Sequence, residues 1–144
     1  MTPDKLRRLV TVVLLLASIK AYSEDHSLSV IEPWIRAAPP GAMVNAGYMT
    51  LRNTGQSDII IDKVTSPEFV MIEMHRTVVQ NGLTRMLPQE RLVVPAGGEL
   101  KLHPGGLHLM MMQPKRELGA GDAVELSLYG KGARIIVTEA PVTK

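Results

Sequence analysis

The 144-residue sequence contains no cysteine, one phenylalanine and one tryptophan. Without cysteine it can form no disulfide, so its stability rests on its core. It also has no thiolate to offer a metal, which removes blue-copper and binuclear copper centres built within the chain. With so few large aromatics, the interior must be filled by aliphatic side chains and by methionine, of which there are nine. Beyond the N-terminal stretch there is no long apolar run, charge block, repeat or low-complexity tract. What remains is ordinary for a globular chain: 45% hydrophobic and 21% charged residues, in a length that suits one domain.

The N-terminal stretch, "MTPDKLRRLVTVVLLLASIKAYSEDHS", reads differently from the rest. Lys5, Arg7 and Arg8 precede an apolar run from Leu9 to Ile19, and Ala21-Tyr22-Ser23 follows with small residues at the −3 and −1 positions of a cleavage site. This is the anatomy of a secretory signal over residues 1–23. The run is short for a membrane span of ~20 residues, although a membrane anchor is the competing reading. No cysteine follows it, which excludes a lipoprotein anchor. Residues 1–23 carry a net charge of +3 and the whole chain +2. The remainder, 24–144, is therefore −1, and the isoelectric point of 9.0 belongs largely to the leader. A basic nucleic-acid surface has no support, and no stable membrane span is expected once the leader is removed.

Turn signals recur roughly every ten residues after that, among them "APPGA", "RNTGQSD", "QNG", "PAGGE", "HPGG" and "GAGD". Between them lie short β-prone runs, several alternating apolar and polar residues, and no long helical period. The pattern predicts an all-β fold: an antiparallel Greek-key β-sandwich over 24–144, its core at about 30–140, with cupredoxin-like proteins as the nearest architecture.

Asn81-Gly82 predicts a two-residue hairpin loop, because both positions tolerate positive φ. Gln80 then lies opposite Leu83 and Thr77 opposite Met86, which makes His75 and Met86 diagonal neighbours about 7–8 Å apart on one face. Val70, Ile72 and Met74 take the opposite face, so Met74 reads as core, while Met71 shares the His75 face one pleat further out. In "HLMMM", His108, Met110 and Met112 point one way and Leu109 and Met111 the other. Met111 reads as core packing. His75, Met86, His108 and Met110 form a candidate cluster of two imidazoles and two thioethers, with Met112 on the same face but further from His108. Thioether sulfur is soft and selects Cu(I) over hard divalent ions, and a site of four neutral ligands carries only +1. Zinc favours cysteine, histidine and carboxylate. Trp34, Arg36 and Tyr48 read as structure, the tryptophan as core filler. Nothing in the sequence places Met43 near the cluster.

The spacing H-x10-M-x21-H-x-M has a chance of arising from this composition on the order of 10⁻⁴. Together with "IEPWIRAAPPGAMVNAGYMTLRN", "VMIEMHRT", "RMLP" and "VPAGGELKLHPGGLHLMMM" in order, it resembles the signature of the PCu(A)C family of periplasmic copper chaperones, over roughly residues 30–140. The resemblance implies a cupredoxin-like domain holding one Cu(I) through His75, Met86, His108 and Met110. It also implies delivery in the periplasm, toward the CuA-bearing subunit of cytochrome c oxidase or a cysteine-pair acceptor that serves it. Copper buffering or resistance without a dedicated oxidase client is the alternative. His103 departs from the family pattern. If Gly105-Gly106 is a two-residue turn, His103 faces His108 as an alternative ligand or a supporting partner; otherwise it is an exposed hairpin histidine. Cleavage after Ser23 would begin the chain Glu24-Asp25-His26, whose amine, amides and imidazole suit a weaker square-planar Cu(II) site.

An enzyme is not expected. No nucleophile–base–orienter signature or paired-carboxylate motif stands out, and a Cu(I) with four filled positions leaves no place for substrate. A metal-free interaction sandwich would leave the ligand spacing unexplained. Binding through histidine should weaken in acid, since each imidazole must be neutral to bind and free imidazole titrates at ~6.5.

Overall fold

The computed structural model describes residues 27–144. The expected leader and His26 lie outside them. The described residues form strands and turns with no helix, in agreement with the all-β, cupredoxin-like sandwich expected from the turn spacing. The strands are β1 (Leu28–Arg36), β2 (Val44–Asn53), β3 (Ile59–Ile61), β4 (Lys63–Thr65), β5 (Phe69–Gln80), β6 (Leu83–Pro88), β7 (Leu92–Val94), β8 (Glu99–Leu102), β9 (Leu107–Pro114), β10 (Ala123–Gly130) and β11 (Ala133–Thr143).

Hydrogen bonding runs in the order β4-β10-β11-β1-β2-β9-β5-β6, with β8 also on β2 and β3 paired to β7 apart from the rest. All pairs are antiparallel except β1–β11, which is parallel over Ile35–Val142 and Arg36–Thr143. β2 pairs with β1 along one edge and divides the other between two partners: Val44 to Gly47 pair with β9, and Met49 to Arg52 pair with β8. A strand shared in this way turns a corner between the layers of a sandwich. β1 bends at an irregularity between Ile31 and Trp34, where Glu32 has φ +48°.

Local sequence explains the tight connections. Asn81 and Gly82 have φ +51° and +74°. This is the two-residue turn whose own twist matches that of the flanking strands. Lys131-Gly132, at +52° and +73°, joins β10 to β11 in the same manner. At 119–122 the loop closes on a side chain: the Gly119 N–H donates to Asp122 Oδ2 at 2.8 Å, with Arg116 Nη1 3.4 Å from the same oxygen. The Gly119 amide first, and the Arg116 charge after it, hold the Asp122 carboxyl below its ordinary 3.8 despite an opposing contribution from burial.

The core is aliphatic, as the scarcity of aromatics requires. Ile35, Leu51, Ile61, Val94, Leu109, Met111, Leu126 and Leu128 are fully buried, and among the described residues Phe69 is the one aromatic in the apolar cluster. Along β9, Leu107, Leu109 and Met111 enter this core. Met111 fits closely: a Cβ at Gly47 would stand 3.0 Å from its sulfur. Met74 is core, as its strand position predicts, but Val70 is exposed and Phe69 takes the buried place at the start of β5. Trp34 does not fill the core. It is half-buried and stacks on Tyr48 at 4.6 Å between ring centroids, with the Arg36 guanidinium 5.7 Å from one ring and 5.4 Å from the other.

Candidate metal centre

The face of β5 and β9 turned away from the core carries the chemistry. The two strands run antiparallel in regular register, so residues two apart on each strand meet as successive rungs on one face. The rungs are His75 opposite His108, Glu73 opposite Met110, and Met71 opposite Met112. On the far side of β5 the hairpin sets Gln80 opposite Leu83 and Thr77 opposite Met86, the register expected from Asn81-Gly82. Met86 is thereby one step diagonal from His75. β2 closes the other flank, with Ala46 beside Met110 and Val44 beside Met112.

The two imidazoles are buried, and their ring centroids stand 6.0 Å apart at an interplanar angle of 42°. The thioethers are more open: Met110 is half-buried and Met86 is 56% exposed. His108, Met110 and Met86 line a concavity of about 290 Å³ together with Arg36, residues 37–39 of the loop after it, and Val44, Asn45 and Ala46. The strand pairing seats His75 next to His108. A larger concavity of about 520 Å³ shares residues 37–39 of that loop, but it offers one thioether, Met43, and no imidazole. Met43 does not line the smaller concavity.

Each histidine is held by one ring nitrogen. His108 Nδ1 lies 3.1 Å from the Gly106 carbonyl oxygen, which also accepts from the Thr77 N–H at 3.0 Å. His75 Nε2 lies 2.8 Å from Glu73 Oε2. The other nitrogen of His75, Nδ1, is buried with no hydrogen-bond partner. A buried polar atom left unpaired costs about 1–3 kcal/mol, and a ligand-ready nitrogen in an apo metal site is one reason for such an atom to persist. The donors fit a soft monovalent ion: two neutral imidazoles with thioethers alongside. Among the described residues, no three His, Cys, Asp or Glu side chains gather where they could hold a metal. A harder ion would lack its usual donor set.

Two features escaped the sequence reading. Glu73 is one, although it is two residues from His75 and the same alternation that put Met71 on that face applies to it. The other is the aromatic wall. Tyr48 stands 6.5 Å from the His108 ring, so Trp34, Arg36 and Tyr48 form a stack that ends at the cluster. His103 is not opposite His108. The turn is centred on Pro104-Gly105, with Gly105 at φ +82°, and the Gly106 N–H donates to the His103 carbonyl at 3.0 Å. The proline fixes φ at the first central position and glycine supplies the positive φ at the second, which moves the turn one residue earlier than Gly105-Gly106 suggests. The exposed His103 ring covers Gly106, and its Nδ1 lies 3.0 Å from the Pro104 carbonyl.

Comparison with known proteins agrees with the fold. The LpqE-like lipoprotein family model matches residues 28–142. The protein named "Putative lipoprotein Lxx21020", from Leifsonia xyli subsp. xyli, is 33% identical over 106 residues, which is 73% of this chain and 63% of that one. The curated relatives that match are longer, and the chain spans 63% and 60% of their lengths. Among solved structures, the apo PCuAC domain from PmoF1 superposes with a TM-score of 0.68 at 23% identity, over 81% of this chain and 93% of that one. The solution structure of CuI-DR1885 from Deinococcus radiodurans gives a TM-score of 0.62 at 29% identity, over 83% and 81%.

Proposed function

The chain belongs to the LpqE-like family of PCu(A)C-type domains, and from that premise we propose that it is an exported copper carrier. It takes one Cu(I) as cargo through His75, Met86, His108 and Met110 and surrenders it to a cysteine-bearing acceptor. The observation that carries the reading is the unpaired, buried Nδ1 of His75, whose ring stands 6.0 Å from a second buried imidazole, His108, on the wall of a thioether-lined opening. The CuI-DR1885 structure supports the choice of ion.

The chain's own residues account for both holding and release. His75 and His108 sit on strands internal to the sheet and keep their donors in place. Met86 sits on β6, the last strand in the order, every residue of which is exposed. An acceptor thiolate can approach over β6 and take the position of the Met86 thioether, a neutral leaving ligand. Exchange proceeds without change of oxidation state, and the acceptor thiol releases its proton to solvent. Thiolate is the softer and stronger donor, so transfer runs downhill toward it. The client is the CuA centre of cytochrome c oxidase, reached directly or through a thiol-based copper chaperone. The basic residues and apolar run of 5–19 are the export signal that brings the domain to the periplasm.

The test is anaerobic titration of the purified protein with Cu(I) against a competing chelator, with native mass spectrometry to count bound ions. Wild type should take one copper. The Met86→Ala, Met110→Ala double variant should lose it in competition while keeping its fold. Equal retention by both proteins would defeat the ligand assignment.

A further inference from the structure

The two histidines are anchored through different ring nitrogens. A backbone carbonyl can only accept, so Gly106 oxygen at 3.1 Å requires the proton of His108 on Nδ1 and leaves the Nε2 lone pair free. An ionised carboxylate can also only accept. Glu73 Oε2 at 2.8 Å therefore requires the proton of His75 on Nε2 and leaves the lone pair on Nδ1, the one buried side-chain nitrogen or oxygen without a partner among the described residues. As neutral rings the two are thus opposite tautomers.

We propose that Glu73 is a positioning residue for the metal centre: it fixes His75 as the Nε2–H tautomer, so that copper is met by Nδ1 of His75 and Nε2 of His108. This rests on the copper-carrier reading and adds to it which atoms bind and what holds them. Glu73 suits the role by its place in the sheet. It is two residues before His75 on β5, on the same face, and it stands opposite Met110 on β9. One carboxylate thus adjoins a proposed nitrogen ligand and a proposed sulfur ligand without being needed as a donor. A carboxylate on the distal N–H of a ligating imidazole fixes ring orientation and raises ligand basicity, and loss of such a partner costs about 10–100-fold in metal affinity. The charged side chain that lines the opening, Arg36, is engaged over Trp34 and Tyr48.

The experiment is long-range ¹H–¹⁵N correlation of the imidazole rings at neutral pH, in the apo protein and with one equivalent of Cu(I), which is diamagnetic. Wild-type apo protein should show His75 protonated on Nε2 and His108 on Nδ1. Copper should move the His75 Nδ1 and His108 Nε2 resonances. Glu73→Leu, with backbone amide dispersion unchanged, should free His75 to sample both tautomers and lower Cu(I) affinity about 10–100-fold at an unchanged stoichiometry of one. Glu73→Asp serves as the conservative check and should recover part of the loss. A wild-type His75 carrying its proton on Nδ1, or a Glu73→Leu variant with the same His75 tautomer and affinity as wild type, would overturn the proposal even if copper binds. The expected tautomers in a protein that takes no copper would sink the carrier reading and leave the hold of Glu73 on His75 standing.

Discussion

Met111 has no exposed surface, while Met110 and Met112, its neighbours on β9, stand on the outer face. Three identical side chains in a row therefore do two kinds of work, and substitution should separate them. Removing a buried methionine deletes packed atoms and leaves a cavity, at a cost of about 2–5 kcal/mol. Met111→Ala should lose that much in urea unfolding and still bind copper when folded. Met110→Ala should lose about 1 kcal/mol or less and fail in copper competition. If Met110→Ala proved the more destabilising of the two, the division of β9 into a packing face and a ligand face would be wrong. The period-two alternation made this division legible from the sequence. It did not reveal that Glu73 grips His75, because a hydrogen bond depends on rotamers and on how deeply a ring is buried, neither of which a residue pattern records. Trp34 leaves its expected place in the core for a related reason: size argues for the core, but the bend in β1 and the neighbouring Tyr48 and Arg36 provide a stack at its edge instead.

At the scale of elements, one hairpin decides whether the fourth proposed ligand reaches the other three. Asn81-Gly82 sets the register that puts Met86 opposite Thr77, and a slip by one residue would turn Met86 to the other face. The sequence gives strong warning of this turn because Asn-Gly is nearly specific to it. The turn before β9 is less legible, since Pro-Gly and Gly-Gly overlap in "HPGG" and it is the hydrogen bond from the Gly106 N–H to the His103 carbonyl that decides between them. Gly82 has open space where a Cβ would stand, so Gly82→Ala would suffer only from its positive φ of +74°. The expected cost is about 1–2 kcal/mol. Because β6 pairs with β5 alone, the strain should appear locally, as faster amide exchange in residues 77–88. Copper affinity should fall several-fold, while the tautomers of His75 and His108 stay as in wild type. Unaltered exchange in β6 combined with weakened copper binding would mean that the turn does not act through register.

For the whole molecule, three of the four proposed ligands ride on β5 and β9, whose other face is the apolar core, and the fourth rides on a rim strand. Ligands this far apart in sequence come together only when β5, β6 and β9 are paired, a non-local arrangement that spacing can suggest but cannot build. Copper should therefore bind the folded chain far better than the unfolded one and stabilise it by mass action. At free Cu(I) one hundred times the dissociation constant the gain is about 2.7 kcal/mol. For a domain of this size that raises Tm by on the order of 10 °C, less whatever affinity the unfolded chain's methionines and histidines retain. Anaerobic thermal unfolding followed by circular dichroism, with Cu(I) buffered by a chelator, should show Tm climbing with the logarithm of free copper once the site is half filled. The Met86→Ala, Met110→Ala variant should start near the wild-type apo Tm, because neither side chain is fully buried, and should climb little. A wild-type Tm indifferent to copper would mean that the four donors do not act on one ion in the folded state. The same slope in both proteins would put the copper somewhere other than this face of the sheet.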